Sequence, residues 1–147
     1  MIRGYFEGPP GRRRPFVTAR LELATRGPVG EVEFLIDTGA ESTILGPVDA
    51  LWLRIDTRLL PTGPRTVGIG GRIATTRLEA RLRLGDRPIS TVLRLLAPRS
   101  RRQQQALLSL PSLLGRDVLR HFALVVEERT DRVLLLDPDE ADALSLP

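Results

Sequence analysis

The chain has 147 residues, with no cysteine and one histidine. Its formal net charge is +4, and all 22 of its basic residues are arginine. This length fits one domain with a hydrophobic core of its own. The missing cysteine excludes disulfides, thiol nucleophiles and thiolate metal sites, and His121 alone is poor material for a zinc site or a Ser-His pair. Aromatic residues make up 4% of the chain and do not alternate with the arginines. We therefore expect a solvated basic surface and no nucleic-acid binding.

No apolar segment approaches the roughly 18 residues that span a bilayer. Residues 1–5 lack the apolar core of a signal peptide. These features predict a soluble, cytoplasmic protein with no membrane partner.

Alternating apolar residues predict three strands in the first part of the chain, over 2–6, 16–24 and 29–36. Glycine and proline mark turns between them at 8–11 and 27–28. The third strand is the most apolar, and we expect it to be largely buried.

That strand delivers a carboxylate, Asp37, at its end. An ionised aspartate beside a buried strand is costly unless it is hydrogen-bonded or shares a proton. Thr38 offers a short hydroxyl, and Gly39 has no Cβ to keep amides away from the carboxylate. The combination suits two acids face to face, one ionised and one protonated, that act on a water molecule between them.

A short strand over 43–45 and a helix over 47–53 are predicted next, with Pro47 tolerated in the first helical turn. We expect Ala50, Leu51 and Trp52 to pack inward, because large apolar side chains are usually buried.

The sequence Gly68-Ile69-Gly70-Gly71 lies between two runs of strand-forming residues and predicts a hairpin tip that can open and close. A phosphate-binding loop is the alternative. It fails because the final glycine of G-x-G-x-x-G is missing, and no Lys-Ser/Thr follows the glycines.

Two further strands are predicted over 75–84 and 89–96, followed by a polar surface loop over 98–105 that is exposed enough for self-cleavage. Leu113-Leu114-Gly115-Arg116 then leads into a helical turn that carries Val118, Leu119 and Phe122 inward. His121 at its end is predicted to be structural.

A last hairpin is predicted over 123–126 and 132–136. Residues 138–147 are predicted to be a flexible acidic tail. The acidic stretch lacks the central glycine and terminal glutamate of a calcium-binding loop, so we expect a solvated end. The chemistry of two acids and a water molecule, to which Asp37 is suited, needs neither a metal nor an organic cofactor.

Three segments together resemble the retropepsin-like aspartic proteases. The residues from Phe34 to Thr43 resemble their Asp-Thr-Gly-Ala active-site loop, and Gly68 to Gly71 resembles their flap. The apolar-apolar-Gly-Arg sequence before a short helix completes the match, which covers about residues 17–136. The resemblance is to single-domain, non-viral (bacterial-like) members of clan AA. It implies an all-β fold for residues 1–147: a closed β-barrel with a flap hairpin and one or two short helices.

The resemblance also implies roles for individual residues. Asp37, Thr38 and Gly39 would be catalytic. The residues that would bind the substrate are Ala40, Glu41, Gly68, Ile69, Gly70 and Gly71. Leu113, Leu114, Gly115 and Arg116 would support the site, with Arg116 paired to Glu41. The chain has no second Asp-Thr/Ser-Gly, so a pair of aspartates requires a homodimer with two-fold symmetry. The partners implied are a second copy and a peptide or protein substrate.

Two alternatives remain at this point. A catalytically inactive module with the same fold would bind peptides or dimerise without cleaving them. A basic protein that associates with nucleic acid through the regions of Arg12 and Arg99 would show salt-sensitive binding. In the viral relatives the chain termini interleave in the dimer. This chain has a longer C-terminal section, so its interface is expected to differ.

Overall fold

The computed structural model of the chain describes residues 1–63, 65–68 and 71–144, and at 66–68 and 71 it describes the backbone. The described fold is predominantly β. Its strands are β1 (Ile2–Arg3), β2 (Tyr5–Glu7), β3 (Arg14–Leu23), β4 (Gly27–Ile36), β5 (Ile44–Leu45), β6 (Thr66–Gly68), β7 (Gly71–Leu84), β8 (Arg87–Ala97), β9 (Ser112–Leu114), β10 (Ala123–Glu127) and β11 (Arg132–Leu136). Its helices are α1 (Pro47–Trp52), a 3-10 turn (Thr57–Leu59), α2 (Arg101–Leu107), α3 (Arg116–Leu119) and α4 (Pro138–Asp142).

The larger sheet has the hydrogen-bonded order β2-β3-β4-β9-β5-β8-β7-β6, and β3 also pairs with β7. The short strand β9 lies between β4 and β5, parallel to β4 and antiparallel to β5. Strands β6 and β7 form a hairpin in which Gly68 faces Gly71. This sheet places the ends of β4 and β9 next to each other.

The smaller sheet joins the two ends of the chain, in the order β1-β11-β10. One strand was predicted over 2–6, but Gly4 divides it into β1 and β2. The Gly4 amide donates to the Val133 carbonyl at 2.9 Å, and a Cβ at Gly4 would lie 2.3 Å from the Phe16 carbonyl oxygen. Only a glycine lets the chain pass this closely between the two sheets.

Two clusters of apolar side chains form the core. The predicted alternation in β3 is confirmed, since Val17, Ala19, Leu21 and Leu23 are all buried in the main cluster. A smaller cluster consists of Ile73, Leu96 and Leu107, with Ile44 and Leu110 packed against it. This second cluster joins β7 near its hairpin end, α2 and β5.

The predicted burial of Leu51 and Trp52 is wrong for the protomer. The exposed fractions of the two residues are 76% and 80%, whereas that of Ala50 is 5%. Residues three apart share one face of a helix, so Ala50 and Leu53 fill the narrow inner face of α1. Leu51 and Trp52 are left on the outer face.

The segment predicted as a polar loop over 98–105 is exposed but contains most of helix α2. The Ser100 hydroxyl accepts a hydrogen bond from the Gln103 amide at 3.2 Å, which caps the helix start. Arginine and glutamine are good helix formers, and Leu107 anchors the last turn by burial.

Part of the segment predicted as a flexible tail is helical, because Pro138–Asp142 form helix α4. A reciprocal capping box between Asp137 and Glu140 begins this helix, and Glu140 Oε1 accepts from the Met1 amine at 2.6 Å. The described chain thus holds more short helices than the one or two expected. Among these helices, none has the length and apolar character to span a bilayer.

Candidate functional site

Asp37 lies in the loop directly after β4. Its amide donates to the Leu114 carbonyl at 3.1 Å, so the loop begins against the end of β9. Its Oδ1 accepts from the Gly39 amide at 2.9 Å, and a Cβ at Gly39 would lie 3.2 Å from that oxygen. Asp37 is half-buried, while Thr38 and Gly39 are exposed. The loop therefore holds its carboxylate in place and presents it at the surface of the protomer.

The backbone of Gly115–Asp117 holds the other side of this loop. The Arg116 amide donates to the Ala40 carbonyl at 2.8 Å, and the Asp117 amide donates to the Glu41 carbonyl at 3.2 Å. A Cβ at Gly115 would lie 2.6 Å from the Ser42 carbonyl carbon and oxygen, a distance that only glycine permits. We call residues 37–43 together with 115–117 the loop clasp.

A partly buried hydrogen-bond network beneath the loop clasp was not predicted from the sequence. Thr43, which is fully buried, donates to Asp117 Oδ1 at 2.7 Å and accepts from the Gly115 amide at 3.0 Å. Thr91 of β8 donates to Asp117 Oδ2 at 2.8 Å. These bonds satisfy both carboxylate oxygens and fix α3 against the loop. Both Thr43 and Asp117 lie within recognisable motifs, but a single sequence contains no signal that pairs them.

A second polar contact joins α1 to β9. The Ser112 hydroxyl accepts from the Gly46 amide at 2.8 Å and donates to Asp49 Oδ2 at 2.5 Å. Asp49 lies in the first turn of α1, where a negative charge is also favourable. Its contact with Ser112 also fixes the path of the chain as it leaves β5.

The pairing of Arg116 with Glu41 that the resemblance implied is present. Arg116 Nη2 lies 3.5 Å from Glu41 Oε1, and their side chains are 59% and 87% exposed. An ion pair this exposed contributes about 0–1 kcal/mol. The main-chain bonds of Arg116 are therefore more important to the loop than its charge.

The other predicted site residues fall into two groups. Leu113 and Leu114 lie in β9, where they pair with Leu35 and Ile36 of β4, so the structure brings them next to the Asp37 loop. Gly68 and Gly71 face each other in the β6–β7 hairpin, while Ile69 and Gly70 lie outside the described residues. The second cluster links this hairpin to the site, because Ile73 of β7 and Ile44 of β5 pack in it together. Among the described residues no group of three or more His, Cys, Asp or Glu side chains is arranged to hold a metal ion.

No protein-family model and no curated protein matches the sequence. Three solved structures resemble the fold. EIAV protease complexed with the inhibitor HBY-793 is 21% identical, over 78% of this chain and 92% of its own, with a TM-score of 0.53. A retropepsin-like aspartic protease from Rickettsia conorii is 18% identical, over 83% of this chain and 81% of its own, with a TM-score of 0.55.

The retroviral protease-like domain of Ddi1 from Leishmania major is 16% identical, over 85% of this chain and 97% of its own, with a TM-score of 0.48. The first two similarities carry the conclusion. Together with the site geometry, they identify this chain as one with the retropepsin-like fold.

Proposed function

We propose that the protein is an aspartic endopeptidase whose active site combines the Asp37 residues of two copies. The observation that carries the proposal is the position of Asp37, at the end of a buried strand, with one carboxylate oxygen held by the Gly39 amide. The loop clasp fixes that position through the main chain, and the fold is one that other aspartic proteases use.

The homodimer follows from what the chemistry requires. Hydrolysis needs two carboxylates, and the chain supplies Asp-Thr-Gly once. A two-fold axis through the site would bring the second Asp37 opposite the first. Exposed apolar side chains, among them Leu51, Trp52 and Leu59, are available to a contacting partner.

The proposed reaction begins with a water molecule between the two carboxyl groups. Two carboxylates about 3 Å apart share one proton, so one group is a base and the other an acid. The base accepts a proton from water as the water oxygen attacks the peptide carbonyl carbon, and the acid gives its proton to the carbonyl oxygen. The gem-diol then collapses: the C–N bond breaks, the protonated carboxyl gives its proton to the leaving nitrogen, and the other carboxylate accepts a hydroxyl proton as the new C=O bond forms. The pair is left with one shared proton, as at the start.

The remaining site residues would bind and cover the substrate. Thr38 would hold the two loops together, and Gly39, Ala40 and Glu41 would lie along an extended peptide bound by strand-like hydrogen bonds. The β6–β7 hairpin, Gly68 to Gly71, would act as a flap that excludes water when it closes. The pairing of β3 with β7 supports a sheet closed into a barrel beneath it. One catalytic domain over residues 1–147 and a cytoplasmic location stay predictions.

The test compares the parent with Asp37→Asn on an unstructured protein at acidic pH. Asparagine cannot act as a base, so we expect hydrolysis to fall below detection while the mass of the dimer in solution is unchanged. Asp139→Asn, which changes an exposed side chain in α4, is the matched control. Undiminished hydrolysis by Asp37→Asn would end the proposal.

A peptide that carries a statine group mimics the gem-diol, so it should inhibit the parent. If the parent dimerises and binds peptides but never cleaves them, the alternative of an inactive binding module holds. The intact Asp37-Thr38-Gly39-Ala40 sequence favours hydrolysis over that alternative.

A further inference from the structure

The charges of the chain are unevenly distributed between two groups of residues. Segments 57–78 and 87–116 contain ten of the 22 arginines and not one aspartate or glutamate. The remaining residues carry twelve arginines against all 18 acidic side chains, a net charge of −6. The excess positive charge of the protein therefore belongs to these two segments.

The structure brings the two segments together beside the candidate site. Segment 57–78 contains the β6–β7 hairpin, and segment 87–116 contains β8, α2 and β9. Strands β7 and β8 pair along their length. The second cluster packs Ile73 and Leu107 with Ile44, which follows the Asp37 loop directly in the chain. The β6–β7 hairpin and α2 thus pack together on the side of β5, the strand that follows the Asp37 loop.

The arginines on this side are turned to solvent. Arg72, next to the hairpin, and Arg99, Arg101 and Arg102, at the start of α2, are all exposed. We call these four residues the basic rim. Within the described part of the chain, no carboxylate lies within ion-pair distance of any of them, while Glu41 pairs with Arg116 and Asp56 with Arg58. The rim therefore keeps its full positive charge.

A cavity of about 380 Å³ adjoins the rim between Arg58 and Arg99. The polar residues Thr57, Thr62 and Gln104 also line it, and no acidic residue does. Arg58 is already paired with Asp56, whereas Arg99 has no carboxylate partner among the described residues. The Arg99 guanidinium, with polar neighbours around it, matches the needs of a carboxylate ligand.

We propose that the basic rim selects polypeptide substrates with acidic residues beside the cleaved bond. This inference rests on the proposed function and adds the substrate class. A rim of one sign at a cleft raises the local concentration of oppositely charged substrate and its association rate. The cavity between Arg58 and Arg99 would take one of the acidic side chains.

Nucleic acid is the other polyanion that such a rim could attract. Binding of single strands relies on aromatic platforms on which bases stack. Segments 57–78 and 87–116 contain no phenylalanine, tyrosine or tryptophan. The absence of stacking residues favours an acidic polypeptide.

The test uses two peptides that share one cleavage site and differ only in flanking residues, glutamate in one and glutamine in the other. We expect kcat/KM of the parent to be about tenfold higher for the glutamate peptide at low ionic strength, and most of this preference to vanish near 1 M salt. The double variant Arg101→Gln/Arg102→Gln should lose most of it. The control Arg12→Gln/Arg14→Gln removes equal charge from exposed positions at the start of β3 and should keep it.

The outcomes separate this inference from the proposed function. Equal rates for both peptides, or equal losses in the two double variants, would overturn the basic rim and leave the protease. If the parent cleaves neither peptide, the proposed protease function fails. Binding of the two peptides to Asp37→Asn then tests the basic rim by itself. Tighter binding of the glutamate peptide supports the rim, and equal binding of the two peptides overturns it. A single-stranded RNA that binds Asp37→Asn more tightly than the glutamate peptide, through Arg101 and Arg102, would overturn it in favour of nucleic acid.

Discussion

The loop clasp and the connection that follows β5, residues 46–63, are neighbours in the chain, but the exposed face of the connection is held far less tightly. In the loop clasp a fully buried threonine, Thr43, and a shared carboxylate, Asp117, satisfy one another through directed bonds. In the connection Trp52 and Leu59 are 80% and 83% exposed. The difference teaches where specific residues are required. Substitutions should be costly in the loop clasp and cheap at the exposed positions of the connection, although not where Ser112 holds Gly46 and Asp49.

Among substitutions in the loop clasp and the connection, the largest effect is expected from Asp117→Ala. It leaves the hydroxyls of Thr43 and Thr91 without their acceptor, and an unsatisfied buried polar group costs about 1–3 kcal/mol. We expect a loss of about 3 kcal/mol in the free energy of unfolding, measured by urea denaturation. Asp117→Asn keeps one acceptor oxygen and should lose less. Equal losses in the two variants would mean that shape, and not hydrogen bonding, holds the loop clasp.

Gly115→Ala should follow in size. The new methyl group would meet the Ser42 carbonyl at 2.6 Å, and overpacking against backbone costs typically about 1–3 kcal/mol. We expect a loss of about 2 kcal/mol in the free energy of unfolding, measured by denaturation. We also expect the rate of hydrolysis to fall by more than the lost stability explains, because the shift moves the Asp37 loop. An alanine variant with parental stability and activity would show that the loop is more adaptable than its bonds indicate.

Trp52→Ala tests the opposite side of the comparison. An exposed side chain away from specific contacts changes stability by about 0.5 kcal/mol or less, whereas Phe34→Ala, at a fully buried position, should cost about 3–5 kcal/mol. Trp52 is the single tryptophan, so its fluorescence reports directly on exposure. Quenching by a soluble quencher should be nearly complete in the protomer. A protected Trp52 in the dimer would place this face in the subunit contact.

The smallest effect concerns Asp56, also in the connection. Hydrogen bonds from the Arg58 side chain and amide lower the pKa of Asp56 to about 2 from its ordinary 3.8. A lowered folded-state pKa adds stability that is complete above the ordinary value and is lost as pH falls through the folded value. We expect an NMR titration to place this carboxyl near pH 2 and stability to be insensitive to Asp56→Asn below that pH. Titration near 3.8 would mean that the Arg58 contact does not persist in solution.

The parts of the fold that the sequence predicts are those governed by local pattern. Alternation was sufficient for β3, β7 and β8, and the motif around Asp37 indicated the loop because a polar, glycine-containing sequence follows an apolar strand. In a helix of only six residues, by contrast, the spacing of apolar residues does not show which face packs against the core. Trp52 was therefore assigned to the wrong side of α1. Helix α2 was missed because its single apolar anchor, Leu107, lies at its end, and the rest of it is polar.

Non-local pairings were beyond a single sequence for a related reason. The three residues of β9 have no periodicity of their own, and their place between β4 and β5 depends on partners about 70 residues away in the chain. The same holds for Thr43, Thr91 and Asp117, which meet from three separate elements. The residues next to each of these three in the sequence do not indicate its hydrogen-bond partner. The network forms only when the folded sheet brings the three side chains together.

The pairing of β1 with β11 has a consequence for how assembly would be measured. Because both strands belong to one chain, a single copy can complete its terminal sheet by itself. Dilution should therefore produce a folded single copy whose melting temperature no longer depends on protein concentration. Folding and association could then be measured as two separate equilibria.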